Sequence, residues 1–213
     1  MDVKFWHQRW EANDIPFHES KANPLLVTYF KELSIAKGSR VFVPLCGKTL
    51  DIAWLLSNGY RVAGVELSEL AVKQLFVELG IEPEITDISE VKYYSATDID
   101  IFVGDIFNLT RKLLGSIDAI FDRAALVALS ENMRIRYSKH VTDITGNAPQ
   151  LLITYEYDQK LMQGPPFSIS NEEVSRHYKD SYKISPLISL DVMGGLKGRV
   201  VKENVWLLNT SLT

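Results

Sequence analysis

The sequence predicts an α/β, Rossmann-like fold: a seven-stranded, mostly parallel sheet flanked by helices. Short apolar runs alternate with amphipathic segments of helical length, a pattern typical of a doubly wound sheet. The chain has 213 residues, of which 46% are hydrophobic and 23% are charged, and it contains no repeat or linker-like tract. These values suit one ordinary globular unit. We therefore predict a single domain over residues 1–213, with a helical N-terminal region at 1–38 and the sheet core at 39–213.

The N-terminal region carries aromatic residues at helical spacing. Trp6 and Trp10 are four residues apart, so they share one face of a helix predicted from Phe5 to Ala12. Pro24 is expected to interrupt helix in the loop that follows. A second short helix is predicted from Val27 to Leu33.

The core begins with a strand at Arg40–Pro44, a buried helix at Thr49–Asn58 and a second strand at Arg61–Val65. Ser68 is a helix N-cap, and Gly80 ends the helix that follows. The remaining segments are the strands DIDIFVGD and SIDAIFDR, the amphipathic helix ENMRIRYSKHVTDI, the strand QLLITYEYD and a closing antiparallel pair, YKISPLIS and NVWLLN.

A ligand site is predicted where the first two strands end, because open parallel sheets bind ligands beyond their carboxyl ends. The second strand runs out at Glu66, which lies 19 residues after Gly47. That spacing typically places an acid on the two ribose hydroxyls of a nucleotide. Only Gly47 is present where a pyrophosphate-binding loop needs three glycines. A ligand with a ribose but no pyrophosphate, such as S-adenosylmethionine, fits better, although Glu66 could also be a helix-start acid beside Ser68.

Composition narrows the class of partner. The formal net charge is -4 with Lys and Arg scattered along the chain, which argues against a nucleic-acid-binding face. No window approaches the ~18 apolar residues of a membrane span. One cysteine and an N-terminus without an apolar signal core predict a cytoplasmic protein. The four histidines lack metal-ligand spacing, so we predict no metal and read them as surface or capping residues.

Several longer motifs make the chain recognisable. The stretches FWHQRW, VFVPLCGKTLDIAWLLSNGYRVAGVELSE, FDRAALVAL and YDQKLMQGPPFSIS occur in this order. Together they resemble the bacterial thiopurine S-methyltransferases over nearly the whole chain. The resemblance implies a class I methyltransferase fold with an N-terminal helical lid, S-adenosylmethionine as methyl donor, and a small-molecule aromatic or heterocyclic thiol as acceptor. It also implies a monomer, and leaves methylation of selenium or tellurium compounds open.

The resemblance assigns roles by motif match. The residues implied at the donor are Trp6, Trp10, Leu45, Gly47, Glu66, Leu67, Asp105, Ile106 and Arg123. Phe17 and Arg123 are implied on the acceptor side. Arg123 could instead form an ion pair with Asp122 or another acid, and Asp105 could be a solvated loop acid. A second acceptor-binding arginine near the C-terminus has only Arg199 as a loose candidate.

Two other classes of function stay open. An NAD-dependent oxidoreductase could use Glu66 in the same way, but the missing glycines and the lack of a Tyr-x-x-x-Lys pair disfavour it. A non-catalytic nucleoside-binding module is the other alternative. The Gly164–Phe167 loop resembles a motif of amino-group methyltransferases, but lacks its Asn or Asp. We predict that this loop shapes the acceptor side.

Overall fold

The computed structural model describes residues 3–210, so the predicted domain limits at residues 1 and 213 lie outside it. Its strands are β1 Arg40–Pro44, β2 Arg61–Glu66, β3 Glu84–Ile88, β4 Val91–Ala96, β5 Ile99–Val103, β6 Ala119–Arg123, β7 Gln150–Glu156, β8 Tyr182–Asp191 and β9 Lys202–Thr210. They form one sheet in the order β3-β4-β5-β2-β1-β6-β7-β9-β8. The central strands β5, β2, β1, β6 and β7 run parallel, and both flanks are antiparallel. The predicted class of fold is confirmed.

The sheet has nine strands rather than the predicted seven. The additional pair is the β3–β4 hairpin, which extends the sheet beyond β5. Most of β3 is exposed, and β4 buries Val91 and Tyr94. An exposed edge strand lacks the apolar alternation that identifies strands in a sequence, so the sequence pattern did not predict this pair of strands.

The helices are α1 Val3–Glu11, α2 Pro24–Tyr29, α3 Asp51–Ser57, α4 Glu69–Leu79, α5 Arg111–Leu114, α6 Glu131–Thr145 and α7 Asn171–Tyr178. Helix α4 has Ser68 as N-cap and Gly80 in the left-handed conformation at its end, as predicted. Helix α2 differs, because Pro24 begins it instead of interrupting it. The Asn23 side chain accepts hydrogen bonds from the first turn, and proline is well suited to that turn because it has no amide hydrogen to satisfy.

Successive residues of the central strands enter two separate cores. Phe42 of β1 packs in one core with Phe102 and Ile120, whereas Val41 and Val43 pack in the other. This alternation follows from the two-residue period of a strand, and burial on both faces is typical of parallel sheets. The two layers hold the sheet rigidly and fix where the carboxyl ends of β1, β2, β6 and β7 lie.

Within residues 3–210, no helix combines the length and the apolar character needed to cross a membrane.

Candidate active site

A cavity of about 320 Å³ lies at the carboxyl ends of β1, β2, β6 and β7. The predicted site residues that line it are Trp6, Trp10, Phe17, Leu45, Gly47, Glu66, Leu67 and Arg123. They come from three distant parts of the chain, which the sheet topology brings together. Asp105 and Ile106 do not line it. The Asp105 carboxylate instead accepts a hydrogen bond from the amide of Phe107, and the Ile106 side chain is fully buried in the core.

Glu66 joins the two strand ends. One carboxylate oxygen accepts a hydrogen bond from the Gly47 amide at 2.8 Å, and the other accepts from the Ser68 amide at 2.9 Å. Glu66 is buried, and burial raises its pKa even though these backbone amides favour the ionised form. Glu66 is therefore also an acid at the start of a helix, the alternative left open by the sequence, because it accepts from the amide of the N-cap residue Ser68. It also borders the cavity, with hydrogen-bonding capacity remaining on both oxygens.

The backbone beside the cavity is strained at two residues that are not glycine. Leu45 follows β1 with φ +47°, and Ala124 follows β6 with φ +62°. Each such conformation costs of order 1–3 kcal/mol and tends to cluster at functional sites. The two strained residues lie on neighbouring strands and both line the cavity.

An aromatic cluster from the N-terminal region covers this edge of the sheet. Phe17 makes edge-on contacts with Trp6 and Trp10, with ring centroids 5.9 and 5.7 Å apart. The Trp10 ring lies on the backbone of Gly47, where a Cβ would stand 2.9 Å from the Trp10 Cζ2 atom. Gly47 also has a φ of +52°, so glycine serves both the turn and the close approach of the tryptophan.

Arg123 is held by three oxygen acceptors. Its Nε donates to Asp51 Oδ2 at 2.8 Å, Nη2 donates to Thr49 Oγ1 at 3.1 Å, and Nη1 donates to Glu19 Oε1 at 3.3 Å. Burial alone would lower its pKa, but the facing carboxylates of Asp51 and Glu19 more than compensate and raise it. The ion pair left open by the sequence therefore exists, with these two acids.

Asp122 has a separate structural role. It is fully buried, its carboxylate accepts hydrogen bonds from the Tyr137 hydroxyl at 2.7 Å and the Leu126 amide at 3.2 Å, and burial raises its pKa to about 6.

The cavity is also lined by residues that sequence reasoning missed. Tyr155 of β7 lines it and pairs across the sheet with Glu203 of β9. Burial, followed by the charge of Glu203, raises the pKa of Tyr155. Leu196 and Lys197 reach the cavity from the loop between β8 and β9, whereas Arg199 of the same loop does not. No motif marks these residues, because the loop acquires its position only through the antiparallel pairing of β8 with β9.

Two further expectations concern flanking segments. Pro165 and Pro166 line the cavity, in agreement with a loop that shapes it. His18 also lines it, contrary to the prediction of a surface or capping residue, and burial lowers its pKa. Among residues 3–210 no group of three or more His, Cys, Asp or Glu side chains is arranged to hold a metal ion.

A second depression adjoins the first and shares Leu67 with it. Its other lining residues include His7, Ser89, Val91 and Val103, contributed by α1, the β3–β4 hairpin and β5. Leu67 therefore connects the cavity to the end of β5, two residues before Asp105.

The fold is similar to that of solved methyltransferases. Over 97% of this chain and 87% of the other, the fold matches a Burkholderia thailandensis 1,6-didemethyltoxoflavin-N1-methyltransferase solved with 1,6-didemethyltoxoflavin and S-adenosylhomocysteine, with a TM-score of 0.66 and 14% identity. A S-adenosylmethionine-dependent methyltransferase from Anabaena variabilis matches over 98% of this chain and 95% of the other, with a TM-score of 0.65 and 12% identity. At these identities the likeness establishes the fold.

Sequence comparison identifies the family. The thiopurine S-methyltransferase of Xanthobacter autotrophicus is 53% identical over 210 residues, covering 98% of this chain and 99% of that protein. The thiopurine S-methyltransferase of Teredinibacter turnerae is 52% identical over 213 residues, covering 100% of this chain and 99% of that one. The family model for thiopurine S-methyltransferase matches residues 1–210. The chain belongs to the thiopurine S-methyltransferase family.

Proposed function

We propose that this protein transfers a methyl group from S-adenosylmethionine to the sulfur of an aromatic or heterocyclic thiol. The observation that carries the proposal is the placement of the buried Glu66 carboxylate beside Gly47, in the lining of a cavity that Trp6 and Trp10 also line. Family membership supports the same reaction.

The residues at the carboxyl ends of β1 and β2 suit the donor. Two of the roughly four acceptor positions on a carboxylate are taken by Gly47 and Ser68, which leaves Glu66 able to accept from both ribose hydroxyls. Gly47 is packed against Trp10, so this turn has no room for a pyrophosphate. That packing favours a nucleoside donor over NAD. The depression beyond Leu67, whose lining includes Glu69, Asp87 and Glu90, would take the adenine. Asp105 and Ile106 line neither this depression nor the cavity.

The cavity also suits a cationic donor and a flat acceptor. S-adenosylmethionine, when bound, supplies an electrophilic methyl group on a positively charged sulfonium. The faces of Trp6 and Trp10 would stabilise that charge by roughly 0.5–2 kcal/mol. Pro165, Pro166 and Leu196 provide apolar walls for an aromatic acceptor.

Catalysis would rest mainly on positioning. Aromatic thiols ionise readily enough to be substantially anionic near neutral pH, so little proton transfer is needed. Arg123 and Tyr155 line the acceptor end and would orient the acceptor by hydrogen bonding. Aligning two reactants in a dry site can lower a barrier by roughly 7–11 kcal/mol.

We further propose that the protein acts as a cytoplasmic monomer on small molecules and does not bind nucleic acid. The net charge of -4 supports the last point. Reduced selenium or tellurium compounds are soft nucleophiles like a thiolate, and they remain a second class of acceptor.

An acceptor series tests the proposal. We would measure kcat/KM with S-adenosylmethionine for substituted thiophenols, a thiopurine, an alkyl thiol, a phenol and an RNA fragment. Aromatic and heterocyclic thiols are expected to react fastest, because the protonated forms of alkyl thiols and phenols dominate near pH 7. Faster methylation of the phenol or the RNA than of every thiol would contradict the proposal. Donor binding without turnover on any acceptor would favour a nucleoside-binding module.

A further inference from the structure

The three partners of Arg123 differ in how firmly they are held. Asp51 is the fixed partner: its side chain is 1% exposed, and Oδ2 accepts from Arg123 Nε at 2.8 Å. The other carboxylate oxygen of Asp51 accepts from the Asn23 amide at 2.7 Å, and Thr49 Oγ1 donates to Oδ2 at 2.9 Å. Releasing Asp51 would break several buried hydrogen bonds at once, so this side of the arginine is permanent.

Glu19 is the loosely held partner. Its side chain is 35% exposed, and its contact with Arg123 Nη1 is 3.3 Å long. The Glu19 carboxylate also accepts from Asn23 Nδ2, at 3.2 Å and 3.4 Å. Exposed ion pairs with imperfect geometry contribute little and break readily. Glu19 also lines the cavity in the segment just after Phe17, so it can turn away from Arg123 toward solvent.

The carboxylates that face Arg123 outnumber its single charge while Glu19 is in place. Asp51 already compensates the charge of Arg123, and Glu19 adds a further carboxylate. Glu203 of β9 faces the same pair: burial raises its pKa, Glu19 raises it further, and Arg123 lowers it. The cavity lining also contains Arg9, Lys48 and Lys197, so this excess is local to Arg123. An anionic ligand that approaches Arg123 therefore meets an arginine whose outer edge is occupied by Glu19.

We propose that Glu19 is a built-in anion that occupies the outer edge of Arg123 and is displaced by an acceptor carrying its own anionic group. The inference rests on the proposed function, and it makes Glu19 a residue that sets specificity. A carboxylate or a deprotonated heterocycle on the acceptor must compete with Glu19 for Arg123 Nη1. A neutral acceptor has no anionic group to replace Glu19 and leaves the Glu19–Arg123 ion pair intact.

Binding of unreactive probes isolates this competition from chemistry. We would measure Kd by calorimetry for para-(methylthio)benzoate and for thioanisole, which share the ring and the methylated sulfur and differ in the carboxylate. Both would be titrated into the S-adenosylhomocysteine complex of the wild type and of Glu19→Gln. The control is Glu82→Gln, which removes one carboxylate from an exposed position between α4 and β3, away from the lining of the cavity.

The expected result is selective. Glu19→Gln should bind the carboxylate probe roughly 1.4- to fivefold more tightly, the range of a partly exposed ion pair, and thioanisole unchanged. Glu82→Gln should bind both probes as the wild type does. In turnover, KM for para-mercaptobenzoate should fall in Glu19→Gln without a change in kcat, while KM for thiophenol stays constant.

Glu19→Ala serves as the second variant, because glutamine keeps a carbonyl that can still accept from Arg123. Three results would overturn the proposal. Neither Glu19 variant binds the carboxylate probe more tightly than the wild type, or both probes gain affinity equally, or the carboxylate probe binds neither the wild type nor the variants. A different result would contradict the proposed methyl transfer alone: the wild type methylates neither thiol, while the probe affinities still change on substitution of Glu19.

Discussion

Replacing Glu66 with alanine separates its two roles in the structure. The carboxylate connects the end of β1 to the start of α4 by accepting from the amides of Gly47 and Ser68. In the proposed function the same carboxylate also accepts from the ribose of the donor. The substitution should therefore weaken donor binding and lower the free energy of unfolding.

The size of each effect follows from these contacts. Loss of one hydrogen bond to a charged group costs about 1.5–3 kcal/mol, so the Kd for S-adenosylmethionine should rise about tenfold or more. Each of the two amides left without an acceptor costs about 1–3 kcal/mol of folding free energy. The burial that raises the pKa of Glu66 opposes this loss, because the variant no longer buries a carboxylate. We expect Glu66→Ala to lower the free energy of unfolding by about 2 kcal/mol in total.

Calorimetry and urea unfolding measure the two effects independently. Donor and demethylated product would be titrated at a temperature where urea unfolding shows the variant to be folded. Glu66→Gln is the matched variant: it keeps the shape and one oxygen, but its amide group must face a donor on one side. It should fall between the wild type and Glu66→Ala in both measurements. Equal donor affinity in wild type and Glu66→Ala would refute the role assigned to Glu66, whatever the change in stability.

Three further substitutions have definite expected outcomes. Arg123→Ala should cost about 3–5 kcal/mol in urea unfolding, because it leaves the buried carboxylate of Asp51 without its partner, and wild-type stability would contradict that ion pair. Asp122→Asn should remove a pH dependence of the free energy of unfolding. The fold raises the pKa of Asp122 from 3.8 to about 6. The stabilisation from protonated Asp122 is therefore complete below pH 3.8 and is lost as the pH rises through about 6. The wild type should thus lose about 3 kcal/mol relative to Asp122→Asn between pH 3 and pH 8, and parallel stability curves would argue against the shift. Gly47→Ala should cost about 1–3 kcal/mol and weaken donor binding, because its Cβ would stand 2.9 Å from the Trp10 ring at a φ of +52°, and an unchanged Tm and donor Kd would show that the ring moves freely.

Arg123 lies at the end of β6, where a side chain is expected to matter more to turnover than to folding. Its buried ion pair with Asp51 makes it matter to folding as well. Arg123→Lys keeps the positive charge but loses the planar guanidinium, which donates to three acceptors at once. We therefore expect it to retain more of the wild-type stability than of the wild-type activity.

The placement of Glu66 beside Gly47 could be predicted because its determinants are local. Strand β1 is an apolar run, Ser68 and Gly80 begin and end α4, and a separation of 19 residues puts Glu66 against Gly47. Gly47 and Glu66 lie in one strand–helix–strand unit, β1–α3–β2, and α4 follows it directly. The geometry of such a unit is nearly invariant in parallel sheets. Sequence spacing alone is then enough to place the two groups.

The contacts around Arg123 could not be predicted from the sequence, because the groups that make them meet only through the complete topology. Arg123 bonds Asp51 across 72 residues and Glu19 across 104 residues of sequence. Tyr155 gains its partner Glu203 from a strand that returns antiparallel at the end of the chain. Charged residues scattered at such distances look like surface residues in a sequence. In the folded protein they form one cluster, held together by contacts that no local motif encodes.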